Sequence, residues 1–334
     1  MDKKTLFSII KIVISLLFIA FIIFFFFGKN PKSLQRDLLT VDYIYVILSM
    51  IFGGWAYFNR GIRWIVLIEA LGYKTSRINS ISSVSLGYFT NLFIPRAGEI
   101  TRCTALKKTD NIPVDKLFGT IIIERLIDFI FLLGFLILAL VLKFGEIISS
   151  IDEYKKIETQ SSSIIYVIFC ILILIIFCIY IFRKKIKRLS FYNKVTNFII
   201  GLKEGIKSIK KIKNKFSFWF HTVSIWVMYF LMTYICFYSI PATSDLGFSD
   251  GLFLLVLGGI GMVIPAPGGL GSYHLIVMIG LVSLQIPGGF LSIKPYNEYN
   301  PATLFPFIVH TAQTFVAVIL GSIGMLFLFK KQSK

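Results

Sequence analysis

Six charged residues lie in two short clusters among apolar neighbours: Arg96, Glu99 and Arg102, then Glu124, Arg125 and Asp128. Charge is costly inside a membrane, where it is normally paired and often marks a substrate path. A guanidinium at 96 or 102 suits a phosphate, which it grips through two parallel N–H donors. Glu99 would hold such an arginine in place when the site is empty; the alternative is an ion cluster that anchors a loop at the membrane edge. Glu124 and Asp128 fall one turn apart on one helix face. They are expected to point inward and meet arginines such as Arg96 or Arg102, either as a proton relay or as a salt bridge locking two elements together.

A second chemistry is written without charge at residues 263–274, Val-Ile-Pro-Ala-Pro-Gly-Gly-Leu-Gly-Ser-Tyr-His. Pro265 and Pro267 with Gly268, Gly269 and Gly271 cannot continue a helix. The glycines would open a half-helix whose free N–H groups and dipole attract an anion. Close packing by small residues is the competing use. His274, near the start of that half-helix, could titrate near neutral pH or simply pack by hydrogen bonding. The stretch also has an echo, Ile94-Pro95…Gly98 against Ile264-Pro265…Gly268. Paired Pro/Gly interruptions in two halves of a chain point to the binding site of an inverted-repeat transporter. No nucleophile–base motif, nucleotide loop or metal-ligand spacing accompanies these residues, so no enzymatic activity, cofactor or metal is expected.

Such residues need a membrane scaffold, and the composition supplies one. Of 334 residues 56% are hydrophobic and 16% aromatic, and apolar runs of helical length recur. That describes an all-α polytopic membrane protein. The net charge of +18 would suit nucleic acid, but the basic residues gather at the ends of apolar runs. That is the pattern of cytoplasmic loops, and no nucleic-acid partner is expected.

Six full spans are read at 6–27, 43–58 or slightly beyond, 117–142, 163–182, 216–240 and 302–329. Two broken elements lie at 78–94 with 97–108, and at 251–286. The first arm of the earlier one carries four serines and two asparagines, so it should face protein rather than lipid. Residues 183–215 hold twelve Lys/Arg against one acid, with apolar residues at steps of three and four. This reads as a basic amphipathic helix, about 190–216, lying on an anionic inner leaflet.

Arg60 and Arg63 with Trp64 read as an interfacial anchor, and these arginines, Lys74 and Arg77, the 183–215 segment and the terminal lysines are assigned to the cytoplasm. The 143–162 and 241–250 loops are assigned outside. The three basic residues of the 28–42 loop run against this scheme. Both termini are then cytoplasmic, and the chain is a single membrane domain of two inverted halves, about 1–142 and 163–334. The two broken elements become re-entrant hairpins entering from opposite faces.

The chain resembles the lysylphosphatidylglycerol synthase transmembrane family, the flippase-like integral membrane proteins. The matching pieces are Arg60-x-x-Arg63-Trp64 with Gly72 downstream, Asn91-x-x-x-Pro95-Arg96-x-Gly98-Glu99-x-x-Arg102, Glu124-Arg125-x-x-Asp128, and Pro265-x-Pro267-Gly268-Gly269-x-Gly271. The resemblance implies a protein of the bacterial plasma (inner) membrane that moves lipids or lipid-linked head groups between leaflets. Its partner would be an anionic phospholipid or a polyprenyl-phosphate-linked lipid. Two departures stand out. The family's aminoacyl-transferase domain does not accompany the membrane module here, so lipid aminoacylation is not expected. The position after Gly271-Ser272-Tyr273 is usually acidic in the family, and here it is His274. A membrane glycosyl- or head-group transferase, and a scaffold for a lipid-synthesis partner, are the rival classes.

Overall fold

The computed structural model describes residues 31–143, 212–288 and 300–330, and these form helices and connecting turns with no strand. The spans read at 6–27 and 163–182, and nearly all of the basic helix at 190–216, lie outside the described residues. The candidate site lies within one compact unit, formed by Met1–Leu136 and Ile212–Lys334.

A short helix, α1 (Pro31–Leu39), occupies what the sequence suggests is loop. Proline at a first helical position needs no N–H partner and is already set to a helical φ. Next, α2 (Tyr43–Ala70) begins at Asp42, whose carboxylate accepts the Ile44 N–H at 3.1 Å. It runs well past the expected end near residue 58. The arginines that seem to close the span, Arg60 and Arg63, are buried and paired, so they do not force the chain out to water.

The first broken element is a helical hairpin, α3 (Arg77–Asn91) and α4 (Ala97–Asp110). Asp110 at the end of α4 accepts from Thr75 at 2.8 Å and Asn79 at 2.7 Å, which sets the two arms antiparallel. The arms touch through Gly87 and Gly98: a Cβ on either would run into the other's carbonyl oxygen. Asn91 closes the bend by accepting the Gly98 N–H at 2.7 Å. The serines of α3 do face protein. Ser80 donates to the Gly61 carbonyl of α2 at 2.8 Å, and Ser82, Ser83 and Ser85 are buried as well.

In α5 (Val114–Leu142) the buried side carries Leu117, Ile121, Glu124 and Asp128, whereas Phe118, Ile122 and Phe129 lie outside. After the undescribed segment, α6 (Lys215–Ile235) starts at Asn214, which accepts the Ser217 N–H at 2.9 Å. A 3₁₀ turn, Cys236–Ser239, prolongs it.

The second broken element is also a hairpin, α7 (Phe248–Val263) and α8 (Ser272–Ser283), joined through a 3₁₀ turn at Pro267–Gly269. Gly258 and Gly261 let α7 approach Tyr273, and Gly280 of α8 approaches Leu254 and Leu257. Last comes α9 (Pro301–Lys330). Its Gly321 and Gly324 pack on the backbone of α3 at Ser85 and Ser82.

Three helical stretches among the described residues are long and apolar enough to cross a membrane: Val114–Leu142, Lys215–Ser239 and Pro301–Phe329. With the bare apolar side chains on the outside of α2 and α5 (Ile44, Ile47, Trp55, Ile122 and Phe129 among them), this is an all-α membrane protein.

Candidate functional site

Two carboxylates and three guanidiniums meet where α2, α4 and α5 come together. One turn of α2 separates Arg60 from Arg63, and one turn of α5 separates Glu124 from Asp128, so two charged ladders of opposite sign can face each other. Arg63 Nη1 donates to Asp128 Oδ1 at 2.8 Å, and its Nη2 reaches Glu124 Oε1 at 3.4 Å. Arg60 Nη1 takes the other oxygen of Asp128 at 3.1 Å, while its Nε donates to the Tyr229 hydroxyl at 2.6 Å. Arg102 of α4 pairs with the remaining oxygen of Glu124.

Aromatic rings complete the shell. Arg102 lies 4.6 Å from the Trp64 ring centroid, and Arg60 lies between Tyr88 and Tyr229 at 5.9 and 5.5 Å. Trp64, itself buried, donates its indole N–H to Thr120 at 2.7 Å. The side chains of Arg63 and Glu124 have no exposed surface. Burying charge so completely is tolerable only because each partner is matched, and removing one would strand the others. Three guanidiniums against two carboxylates leave one positive charge in excess. The Nε–H groups of Arg63 and Arg102 have no hydrogen-bond partner.

This corrects two expectations. Arg60, Arg63 and Trp64 are not interfacial anchors but the core of the ion cluster. The first two therefore say nothing about orientation, and the cytoplasmic assignment of that end rests on Lys74 and Arg77. Arg102, Glu124 and Asp128 do come together as expected, but as a closed lock with no open face for a head group. Arg96 is not part of it.

A further ion pair joins the lock at its rim, where Arg125 Nη1 lies 3.9 Å from Asp128 Oδ2. Arg125 Nε lies 3.5 Å from Glu99 Oε1, and the arginine side chain is 47% exposed. Arg125 is the twelfth residue of α5, about 17 Å along the helix at 1.5 Å per residue. An accessible guanidinium that deep in an apolar helix needs water or an anionic group beside it.

Arg96 belongs instead to the meeting of the two breaks. It follows Pro95 in the left-handed conformation, φ 60° and ψ 7°, which costs a non-glycine residue about 1–2 kcal/mol. In the other break, Gly268 follows Pro267 at φ 58° and ψ 9°. The backbones therefore match as Pro95-Arg96 with Pro267-Gly268, two residues away from the pairing that the Ile-Pro-x-x-Gly echo suggests. The exposed Arg96 side chain reaches across to donate from Nη2 to the Val263 carbonyl at 3.1 Å, at the end of α7. A helix C-terminus offers unpaired carbonyls and the negative end of the dipole. Leu92 packs on Gly268 beside this bridge.

The second break is not the open cradle of N–H groups that its glycines suggest. Gly269 N–H donates to the Ala266 carbonyl at 3.0 Å, Leu270 N–H to Pro267 at 3.0 Å, and Gly271 N–H to His274 Nδ1 at 3.4 Å. Positive φ at Gly268, Gly269 and Gly271 is what those turns require. Pro265 and Pro267 break the helix as expected, Pro267 opening the 3₁₀ turn.

His274 is buried, with its ring centroid 4.7 Å from that of His310 in α9. His310 Nε2 lies 2.9 Å from the Gly268 carbonyl, to which it donates. Sequence reasoning passes over His310 because one histidine in a long apolar run resembles a packing residue. It also passes over Arg60 and Arg63 as site residues, although a signal exists: their spacing complements that of Glu124 and Asp128. No group of metal ligands assembles among the described residues.

Comparison with known proteins sets this geometry in a family. The family described as the lysylphosphatidylglycerol synthase transmembrane region matches residues 8–292. A UPF0104 membrane protein of Methanocaldococcus jannaschii is 24% identical over 98% of this chain and 96% of its own length. No solved structure matches the chain.

Proposed function

We infer function from one premise: this chain belongs to the lysylphosphatidylglycerol synthase transmembrane family. We propose that it moves a lipid between leaflets, gripping an anionic head group, a phospholipid's or a polyprenyl-phosphate-linked one, where the two breaks meet. Arg96 is the primary contact. Arg125, released from Glu99, is the second, since a phosphate can replace a carboxylate on a guanidinium. The lock of Arg60, Arg63, Arg102, Glu124 and Asp128 holds α2, α4 and α5 rigid behind these two arginines and contributes its uncompensated positive charge to the field there. The breaks are the movable parts, entering from opposite faces in an inverted repeat, in a plasma membrane with both termini cytoplasmic. No catalytic step belongs to this scheme.

The observation that carries the proposal is the strained backbone at Arg96. Where the other break uses glycine, this one keeps an arginine at an energetic cost. Its exposed side chain rests on a carbonyl that a better acceptor can displace. Strain of this kind persists where the side chain itself is needed.

The test is mass spectrometry of lipids retained by gently purified protein, wild type beside Arg96→Ala. One lipid class enriched in the wild type and lost in the variant supports the proposal. The same unselective mixture in both refutes it.

A further inference from the structure

The balance of charge around the breaks narrows what they can grip. We infer that the head group held there carries two negative charges, as a terminal phosphate monoester on a hydrocarbon tail does and the diester of an ordinary phospholipid does not. The inference rests on the lipid-transport proposal and names the class of lipid within it.

The count is short. The lock holds one positive charge in excess and the Glu99–Arg125 pair holds none. Arg96 adds one, and its bond to the neutral Val263 carbonyl leaves that charge intact. Residues 43–68, 78–106, 117–142, 216–239, 251–283 and 301–329 contain no other Asp, Glu, Lys or Arg. Among the described helical stretches, two positive charges therefore stand unbalanced in apolar surroundings, where unbalanced charge is costly. A phosphodiester cancels one of them. A phosphomonoester, whose second ionisation falls at a pH of about 6, cancels both.

The geometry asks for the same group. Arg96 is the N-cap of α4, and Glu99, which holds Arg125, is the third residue inside it. The two exposed guanidiniums thus flank the first turn of a helix whose positive dipole end lies between them. Each guanidinium grips two oxygens in parallel. Two such forks side by side can share the three free oxygens of a monoester, and a diester offers only two. Exposed apolar side chains surround Arg96 at the tips of both breaks: Phe93 and Ile94 on one, Val263 and Ile264 on the other. They suit a ligand that brings a hydrocarbon tail with its phosphate.

Titration of the full chain, stripped of native lipid in detergent, tests this, with bound lipid counted by native mass spectrometry. The probes are phosphatidate, phosphatidylglycerol and phosphatidylcholine with identical dioleoyl tails, at a pH of about 8 so that the monoester is doubly ionised. Phosphatidate is expected to bind about tenfold more tightly than phosphatidylglycerol, the effect of one more charge-assisted contact. Arg125→Gln, which halves the excess charge, should bring the two lipids close to parity. Glu99→Gln, which raises the excess, should widen the gap. A preference unchanged in both variants would come from the small size of the phosphatidate head and overturns the inference. Phosphatidate displaced by an equal concentration of inorganic phosphate overturns it too, in favour of a soluble anion. Equal binding of the two anionic lipids to wild type, both lost in Arg96→Ala, overturns the inference and leaves the transport proposal standing. Neither anionic lipid exceeding phosphatidylcholine strikes both.

Discussion

The two breaks share a proline followed by a left-handed residue, yet they are held by different physics. The first is tight and charged: only Leu92, Phe93 and Ile94 separate Asn91 from Pro95-Arg96, with Gly87 against Gly98 at the crossing of the arms and ions on both sides. The second is longer and uncharged, spanned by three glycines of positive φ and latched by two histidines. Glycine is used for space in the first and for backbone conformation in the second. The difference suggests a rigid half that recognises and a compliant half that moves.

Rigidity of the first half can be broken at its ions. Glu124→Ala leaves Arg102 buried without its carboxylate and Arg63 with Asp128 alone, and breaking one member of a buried network costs about 3–5 kcal/mol. Thermal unfolding in detergent should register this loss as larger than that of any single glycine substitution in the hairpins. The second hairpin has no buried ion network of this kind among the described residues. A Glu124→Ala protein as stable as wild type would mean that the lock does not hold α2, α4 and α5 together.

The next effect separates the two uses of glycine. Gly98→Ala places a Cβ into the Gly87 carbonyl and against the Asn91 side chain. Overpacking of this sort costs about 1–3 kcal/mol, although Gly98 is helical without positive φ and any residue could adopt its backbone. If Gly98→Ala melts like wild type, the arms of the first hairpin are not in contact, and the rigid half loses its basis.

Much of this contrast is legible in the sequence, and the illegible part has physical causes. Three of the four ends of α3 and α4 lie within two residues of their expected places, since Ser76 caps α3 by accepting the Asn79 N–H at 3.1 Å and Pro95 marks the break, whereas α3 stops three residues before its expected end. The inward direction of the α3 serines follows from the cost of hydroxyls in lipid. Glu124 and Asp128 are expected to face inward for the same reason, and they do. Arg60 and Arg63 mislead because an arginine beside tryptophan at the end of an apolar run looks the same whether it meets lipid head groups or a carboxylate from a helix sixty residues on. The glycine N–H groups of the second break look free because sequence shows which donors a turn creates, not which carbonyl or imidazole turns back to meet them. The register of the two breaks misleads for a similar reason: letters align Gly98 with Gly268, whereas dihedral angles align Arg96 with Gly268.

That alignment yields the smallest change in stability and the sharpest test of function. Arg96→Gly and Gly268→Ala are opposite moves at equivalent backbone positions. The first removes a side chain from a left-handed residue and should stabilise by about 1 kcal/mol, less whatever the Val263 hydrogen bond contributes. The second adds a Cβ to a left-handed residue, 3.1 Å from Leu92, and should destabilise by about the same amount. Lipid retention should run the other way: Arg96→Gly loses the selected lipid while folding at least as well as wild type, and Gly268→Ala keeps it. A variant that gains stability and loses its ligand is the signature of a residue retained for binding at the expense of folding. If Arg96→Gly instead loses stability and keeps its lipid, the bridge to Val263 is a structural clasp between the breaks, and the head group must be gripped by Arg125.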